Sequence, residues 1–446
     1  MALISPFRGY RYNQEIVGDL SLVMTQPYDK ISEELQQEYY RRSPYSVVRV
    51  TRSEEKNANP ETDYAGAGGI FRGWVAQGIL RQEAAPAIYA YWQDYEIEGE
   101  RKRQRGFVAL LDLKHVAGGI LAHERTLDEP KMDRLRLMRA TECNEDMVFM
   151  LYTDDRLVVN RILQERISGH APDVEVKDDF GTRHRLWAVT DARAAKKIRD
   201  AMVPEELFIA DGHHRFETSI NYLKECEARA WKPAAPESFD SRMVTCFNSA
   251  DQGITILPTH RLIRGLARLD VRAFLRASGQ YFDIERLDSA AQLWESMKQV
   301  RGVDHGFGFY AGGGRRFYLL CLKEEAKVDP LMLAHAEVYR HLDVSILHTL
   351  VLDRLLGIDE AKLVAQAHVD YARDREASIQ TVNQGKYQAA FFLNPTTVEQ
   401  VQRVALLGER MPQKSTDFYP KLLTGLVFMK MEIFKPDALD TPGTGP

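Results

Sequence analysis

The residues from Leu207 to Leu223, LFIADGHHRFETSINYL, combine apolar and titratable groups in an order suited to chemistry. Leu207-Phe208-Ile209 reads as a short buried strand. From His214 onward Phe216, Ile220 and Leu223 recur at helical spacing, which predicts a helix. The corner between them carries Asp211, Gly212, His213, His214 and Arg215. Gly212 permits a tight turn or close approach of a ligand to the backbone. A helix N-terminus offers free N–H groups and partial positive charge, which suits phosphate. Arg215 would add a bidentate phosphate partner. Asp211 could hold a metal ion, orient a hydroxyl, or simply cap the helix.

Other polar clusters lie at the ends of apolar segments. His123-Glu124-Arg125-Thr126 is followed by Pro130-Lys131-Met132-Asp133-Arg134. Pro258-Thr259-His260-Arg261 closes a strand pattern. Met411-Pro412-Gln413-Lys414-Ser415-Thr416 precedes Tyr419-Pro420-Lys421. Together they supply carboxylates, cations, hydroxyls and imidazoles. Phosphoryl transfer asks for little more: cations and a metal for the phosphates, and a carboxylate for the acceptor's proton. Competing chemistries fit less well. HExxH, GxSxG and GxxxxGK[ST] are all absent, which argues against a zinc hydrolase, a serine esterase and an ordinary P-loop. His213 and Glu217, at i and i+4, are a weak metal pair by spacing alone.

The elements that must position these clusters read as a mixed α/β chain. Strands are expected at Val47–Val50, Ala87–Ile97, Gly106–Leu113, Met147–Tyr152, Trp187–Thr190 and Arg242–Asn248. The charged run Gly99–Arg105 reads as a hairpin turn, and Ser32 and Asp191 as helix caps. Residues 269 to 325 read as an independent α+β module whose Gly312-Gly313-Gly314 is a hairpin turn. Residues 341 to 356 read as a core helix. Four parts follow: 1–268 with the HERT and ADGHHR motifs, 269–330 as module or insertion, 331–435 mainly helical with the PQKST motif, and a disordered tail at 436–446. The 446 residues carry a net charge of −5, which disfavours nucleic acid as partner. No apolar run reaches membrane-spanning length and no signal-peptide core opens the chain. Four dispersed cysteines without a CxxC pair fit a reducing cytoplasm.

PFRG at Pro6, QPYDKIS at Gln26, SPYSVVRV at Ser43, HERT, PKMDRLRLMRAT, ADGHHRFET, ILPTHR, YRHLDVSILH and MPQKSTDFYPKLLTGL resemble the conserved-hypothetical family 1015, a domain of unknown function, from about Ile4 to Val427. The DGHHR element resembles that of the ParB/sulfiredoxin-like nucleotide-binding superfamily, and most of all its free serine kinases. The resemblance implies an α/β ParB/sulfiredoxin-like nucleotide-binding core with additional α+β elements. It implies a cytoplasmic kinase with ATP or ADP as co-substrate and Mg2+ as cofactor. L-serine is the expected acceptor, and O-phospho-L-serine the product. Glu124 would be the general base and Asp211 would assist magnesium. By that likeness His213, His214 and Arg215 would hold nucleotide phosphates; the polar clusters themselves add Gly212, Lys414, Ser415 and Thr416 as further phosphate-binding candidates. His123, Arg125, Thr126, Asp133, Arg134, His260 and Arg261 would bind or support substrate. Two alternatives stand beside it: a non-catalytic nucleotide-binding regulatory protein of the same superfamily, and a phosphate-ester hydrolase using the same cluster. The oligomeric state stays open. The longer gap between His123-Glu124 and Asp211, and the KST cluster, depart from the small kinases.

Overall fold

A computed structural model describes residues 2–52, 60–116, 120–124, 128–312, 316–323 and 328–436. Arg125, Thr126, most of the polar stretch after Glu54, Gly313-Gly314 and the tail beyond Pro436 lie outside them. The chain forms two compact units. One contains Met1–Ala122, Thr126–Ile254 and Pro420–Pro446; the other contains His123–Arg125 and Thr255–Tyr419.

The first unit is built on a nine-stranded sheet. Its strands are β1 (Ile4–Ser5), β2 (Ile88–Ile97), β3 (Glu100–Asp112), β4 (Ile120–Leu121), β5 (Val148–Tyr152), β6 (Val174–Lys177), β7 (Arg183–Val189), β8 (Leu207–Asp211) and β9 (Ser241–Asn248). The order is β4-β8-β5-β9-β3-β2-β7-β6, with β1 beside β3. β5 is buried at every residue, as an inner strand covered on both faces must be. Three helices matter for the site: α1 (Pro60–Ala76), α2 (Asp128–Thr141) and α3 (His213–Ala228), with α2 packed against both others.

The second unit holds a six-stranded sheet of β10 (His260–Ile263), β11 (Phe282–Leu287), β12 (Gly306–Ala311), β13 (Phe317–Leu322), β14 (Val369–Ala372) and β15 (Ala389–Phe392). Their order is β11-β13-β12-β15-β10-β14. Residues 269–330 are therefore not a separate module. Their strand β12 pairs with β15 from beyond residue 331, Phe309 opposite Phe391, and the two rings stack at 4.9 Å. The sheet cannot close without both segments, so the boundaries expected at 268 and 330 fall inside one unit.

Three local expectations also change. Val47–Val50 is helical, Val48–Thr51, not a strand. Val48 and Val50 are buried there, Val48 against Ile31 and Tyr39, and this packing overrides the β preference of a valine-rich run. The hairpin turn after β2 is only Glu98-Gly99, both at positive φ (51° and 80°), a two-residue primed turn. The charged residues Glu100–Arg105 continue β3, where Arg103 pairs across to Asp94 at 2.5 Å. The stretch expected as one core helix is an α-turn, Asp343–Ile346, running into a π-helix, Leu347–Leu355, whose Leu347, Leu350, Val351 and Leu352 are buried. Other local readings hold: Ser32 accepts from Leu35 N–H, Asp191 from Arg193 and Ala194 N–H, and β12 and β13 form the expected hairpin.

Candidate functional site

The Asp211 corner is shaped by two backbone devices. The pairing of β8 with β5 slips between Ile209 and Asp211, an irregularity that re-aims the strand's last side chain. Gly212 follows in the left-handed region at φ +92°. A Cβ there would lie 2.9 Å from Arg215 Nε, because that side chain folds back across the glycine. No side chain caps α3, so Asp211 is not the helix cap.

Arg215 is 5% exposed, and its guanidinium works inside the protein. It donates to the Met147 carbonyl at 2.6 Å and to Asp211 Oδ2 at 3.0 Å, and lies 3.8 Å from Asp146. Asp146 also accepts from Arg242 at 2.9 Å. Lys421 Nζ approaches the other Asp211 oxygen at 3.6 Å. Burial alone would favour the protonated acid. Lys421, then Arg215, Lys30 and His213, outweigh it and hold Asp211 ionised, well below the usual carboxylate range. Burial likewise opposes the charge on Arg215, and Asp146 and Asp211 overcome it. His213 is buried at the first turn of α3 and His214 is half-buried.

The N-terminal segment completes this cluster. Tyr28-Asp29-Lys30 is a single 3-10 turn. Burial pushes Tyr28 up to about 12, against the pull of Arg134. Arg134 lies 4.0 Å over the Tyr28 ring, donates to Thr51 O at 3.0 Å and to Asp133 at 2.7 Å, and Asp133 accepts from Tyr64 at 2.5 Å. Asp133 and Arg134 thus brace the joint between α1, α2 and the N-terminal turn. Glu217 pairs with Lys131 at 3.4 Å, not with a metal partner of His213. Among the described residues no group of three or more His, Cys, Asp or Glu could hold a metal ion. Magnesium that arrives on a nucleotide needs only one or two protein carboxylates, and Asp211 offers one.

The second unit places the other motifs. His123 is buried, 3.1 Å from Thr416 Oγ1 and edge-on to Phe418. Glu124 bridges Met411, and its carbonyl accepts from Arg410 at 2.8 Å. His123-Glu124 and the start of the PQKST stretch therefore meet as neighbouring backbones. Ser415 is buried with its hydroxyl on Pro412 O at 2.5 Å, while Lys414 is exposed at φ +56°. His260 is a core histidine: it packs on Phe392 at 5.1 Å, and burial, then Arg375 and Arg261, push its pKa down to about 3. Arg261 is buried beside His348. Sequence reasoning left Lys30, Asp146 and Arg242 out of the site. Only the QPYDKIS motif signalled the first, and nothing in the spacing signalled the others.

The chain belongs to the family described as "Protein of unknown function (DUF1015)", whose model matches residues 4–345. No curated protein matches it. Among solved structures, a free serine kinase variant in complex with AMP is similar at 9% identity and a TM-score of 0.35, covering 70% of this chain and 87% of that one. A conserved hypothetical protein from Pyrococcus furiosus has 12% identity and a TM-score of 0.32, covering 70% and 90%. A C-terminally truncated SbnI from Staphylococcus aureus has 11% identity and a TM-score of 0.33, covering 71% and 85%. Among the described residues no helix is long and apolar enough to cross a membrane.

Proposed function

We propose that the chain is a nucleotide-dependent kinase of a small free hydroxyl substrate, with L-serine as acceptor and O-phospho-L-serine as product. The observation that carries the reading is the ionised Asp211 at a glycine-opened strand-to-helix turn, with Lys421 3.6 Å from it and Lys30 among the cations whose charge holds it ionised. Such a corner suits a phosphate chain with its counter-ion. In this reading Lys30 and Lys421, with the α3 N-terminus behind Gly212, hold the nucleotide phosphates. Arg215 positions Asp211 and is a brace, since its donors serve Met147 O and Asp211. Magnesium bound with the nucleotide would neutralise phosphate charge, with Asp211 as its protein ligand. In this reading Glu124, whose His-Glu pair resembles that of the kinases, takes the acceptor's proton.

A phosphorus NMR time course with magnesium, ATP or ADP and pooled amino acids tests this. The expected result is a new phosphomonoester that requires L-serine. Inorganic phosphate alone would move the assignment to a hydrolase. Nucleotide binding in calorimetry without turnover would move it to the regulatory alternative. Glu124→Gln should lower kcat roughly a hundred- to ten-thousandfold with nucleotide affinity little changed, as loss of a general base does. An Asp211→Asn protein with full activity sinks the mechanism.

A further inference from the structure

The second unit holds a solvent-open cavity of about 280 Å3 that the kinase reading does not use. Ser345, His348, Thr349 and Tyr371 line it beside apolar Ile358 and Leu363. His348 and Thr349 come from the π-helix Leu347–Leu355, and π-helical turns are frequent at functional sites. Ser345 is 1% exposed, and its hydroxyl has no hydrogen-bond partner among the described residues. A buried hydroxyl without a partner is costly, and turning this one toward the neighbouring space would let a ligand there satisfy it.

Behind this wall lies Arg261, 1% exposed. Among the described residues no carboxylate pairs with it. Its N–H groups reach His348 Nε2 at 3.3 Å, Gln413 O at 3.4 Å and Thr259 O, and its cation lies 5.1 Å from the Tyr371 ring. Burial pulls its pKa down to about 10, still charged at neutrality. A buried cation with only neutral partners is an unbalanced charge. Because Arg261 donates to Nε2, the His348 proton sits on Nδ1. The guanidinium polarises that ring and strengthens its remaining N–H as a donor. Two of the groups touching Arg261, His348 and Tyr371, thus carry its charge to the cavity wall.

We propose that this cavity binds a small monocarboxylate. Its anionic end meets Ser345, His348 and Tyr371, with Arg261 supplying the balancing charge, and its aliphatic end lies on Ile358 and Leu363. Asp353, Glu360 and the cationic Arg410 also line the cavity, so its wall carries little net charge of its own and suits a singly charged ligand better than a dianion such as phosphate. The site stands whether or not the chain is a kinase.

Saturation-transfer NMR of the full chain tests it, with straight-chain carboxylates from acetate to hexanoate, each beside its primary amide. One or more acids should bind at millimolar or better affinity and its amide about tenfold more weakly, the worth of one charge-assisted hydrogen bond. Inorganic phosphate should not displace the acid. Arg261→Met should abolish the preference for acid over amide. Thr349→Phe, at a half-buried lining position that leaves the Arg261 contacts in place, should block binding by steric filling, and it decides the matter if Arg261→Met fails to fold. No acid signal up to about 10 mM, equal binding of acid and amide, displacement by phosphate, or unchanged binding by a folded Thr349→Phe protein each overturns the proposal.

Discussion

At Gly212 two demands coincide on one residue. The backbone sits at φ +92°, and the space a Cβ would take is filled by the Arg215 guanidinium that fixes Asp211. Gly212→Ala should therefore cost about 1–3 kcal/mol, from left-handed strain plus displacement of Arg215. Urea unfolding measures it. Displacing Arg215 also removes a cation from Asp211, so the carboxyl's pKa should rise toward its ordinary value. A variant as stable as the parent would mean the corner relaxes freely and that Arg215 is not the brace described. The types of residue at this corner were legible in the sequence, and so was the strand-to-helix turn. The partners of Asp211 were not. Lys30 and Lys421 lie far from residue 211 along the chain, and no local periodicity reports on such contacts.

At the scale of elements, α1 and α2 approach so closely that Gly68 touches backbone. A Cβ there would lie 2.2 Å from Ala140 O, and Arg72 donates to the same carbonyl at 2.9 Å. Its neighbour Gly69 is exposed, with nothing within 4 Å of its Cβ direction. Gly68→Leu should force the helices apart and cost about 2–4 kcal/mol, whereas Gly69→Leu should change stability by no more than about 1 kcal/mol, with helix propensity in its favour. Thermal melts of the two variants side by side check this; equal Tm values would remove the close contact from the account. The Gly68 variant should also loosen the Tyr64–Asp133 hydrogen bond, and through α2 the packing on α3. That the two helices touch through a glycine is not legible in the sequence, since a glycine inside a helix reads equally as weakness. The same limit hid Val48–Thr51, where burial decided the conformation, and the length of β3, where charges lie along a strand.

At the scale of the whole molecule the sheet orders explain why the parts were misjudged. β12 pairs with β15, and β5 lies between β8 and β9, so neighbours in space come from distant stretches of chain. Hydrophobic pattern fixes each strand's faces but not its partner. The two units also carry different titration burdens. In the second, His260 is held down to about 3 and His348 well below its ordinary 6.5, both chiefly by burial. A depressed histidine binds its proton more readily when unfolded. Its contribution is thus present above the unfolded value near 6.5 and is lost as pH falls. For His260 the loss is about 1.4 kcal/mol per pH unit below that value, until about 3. In the first unit Glu145 is pushed up by burial to about 7, from 4.5. It binds its proton more readily when folded, so between about 7 and 4.5 it favours the folded state as pH falls. There it offsets His184, whose pKa burial lowers despite Asp178. Asp211, held low, keeps its charge throughout this window. Hydrogen exchange at pH 7 and pH 5, corrected for intrinsic rates, should show protection falling in β10, β12 and β15 and changing far less in β5, β8 and β9. Equal loss in both sheets would mean that His260 and His348 are not held neutral in the folded state, and would take with it the neutral His348 on which the carboxylate cavity depends.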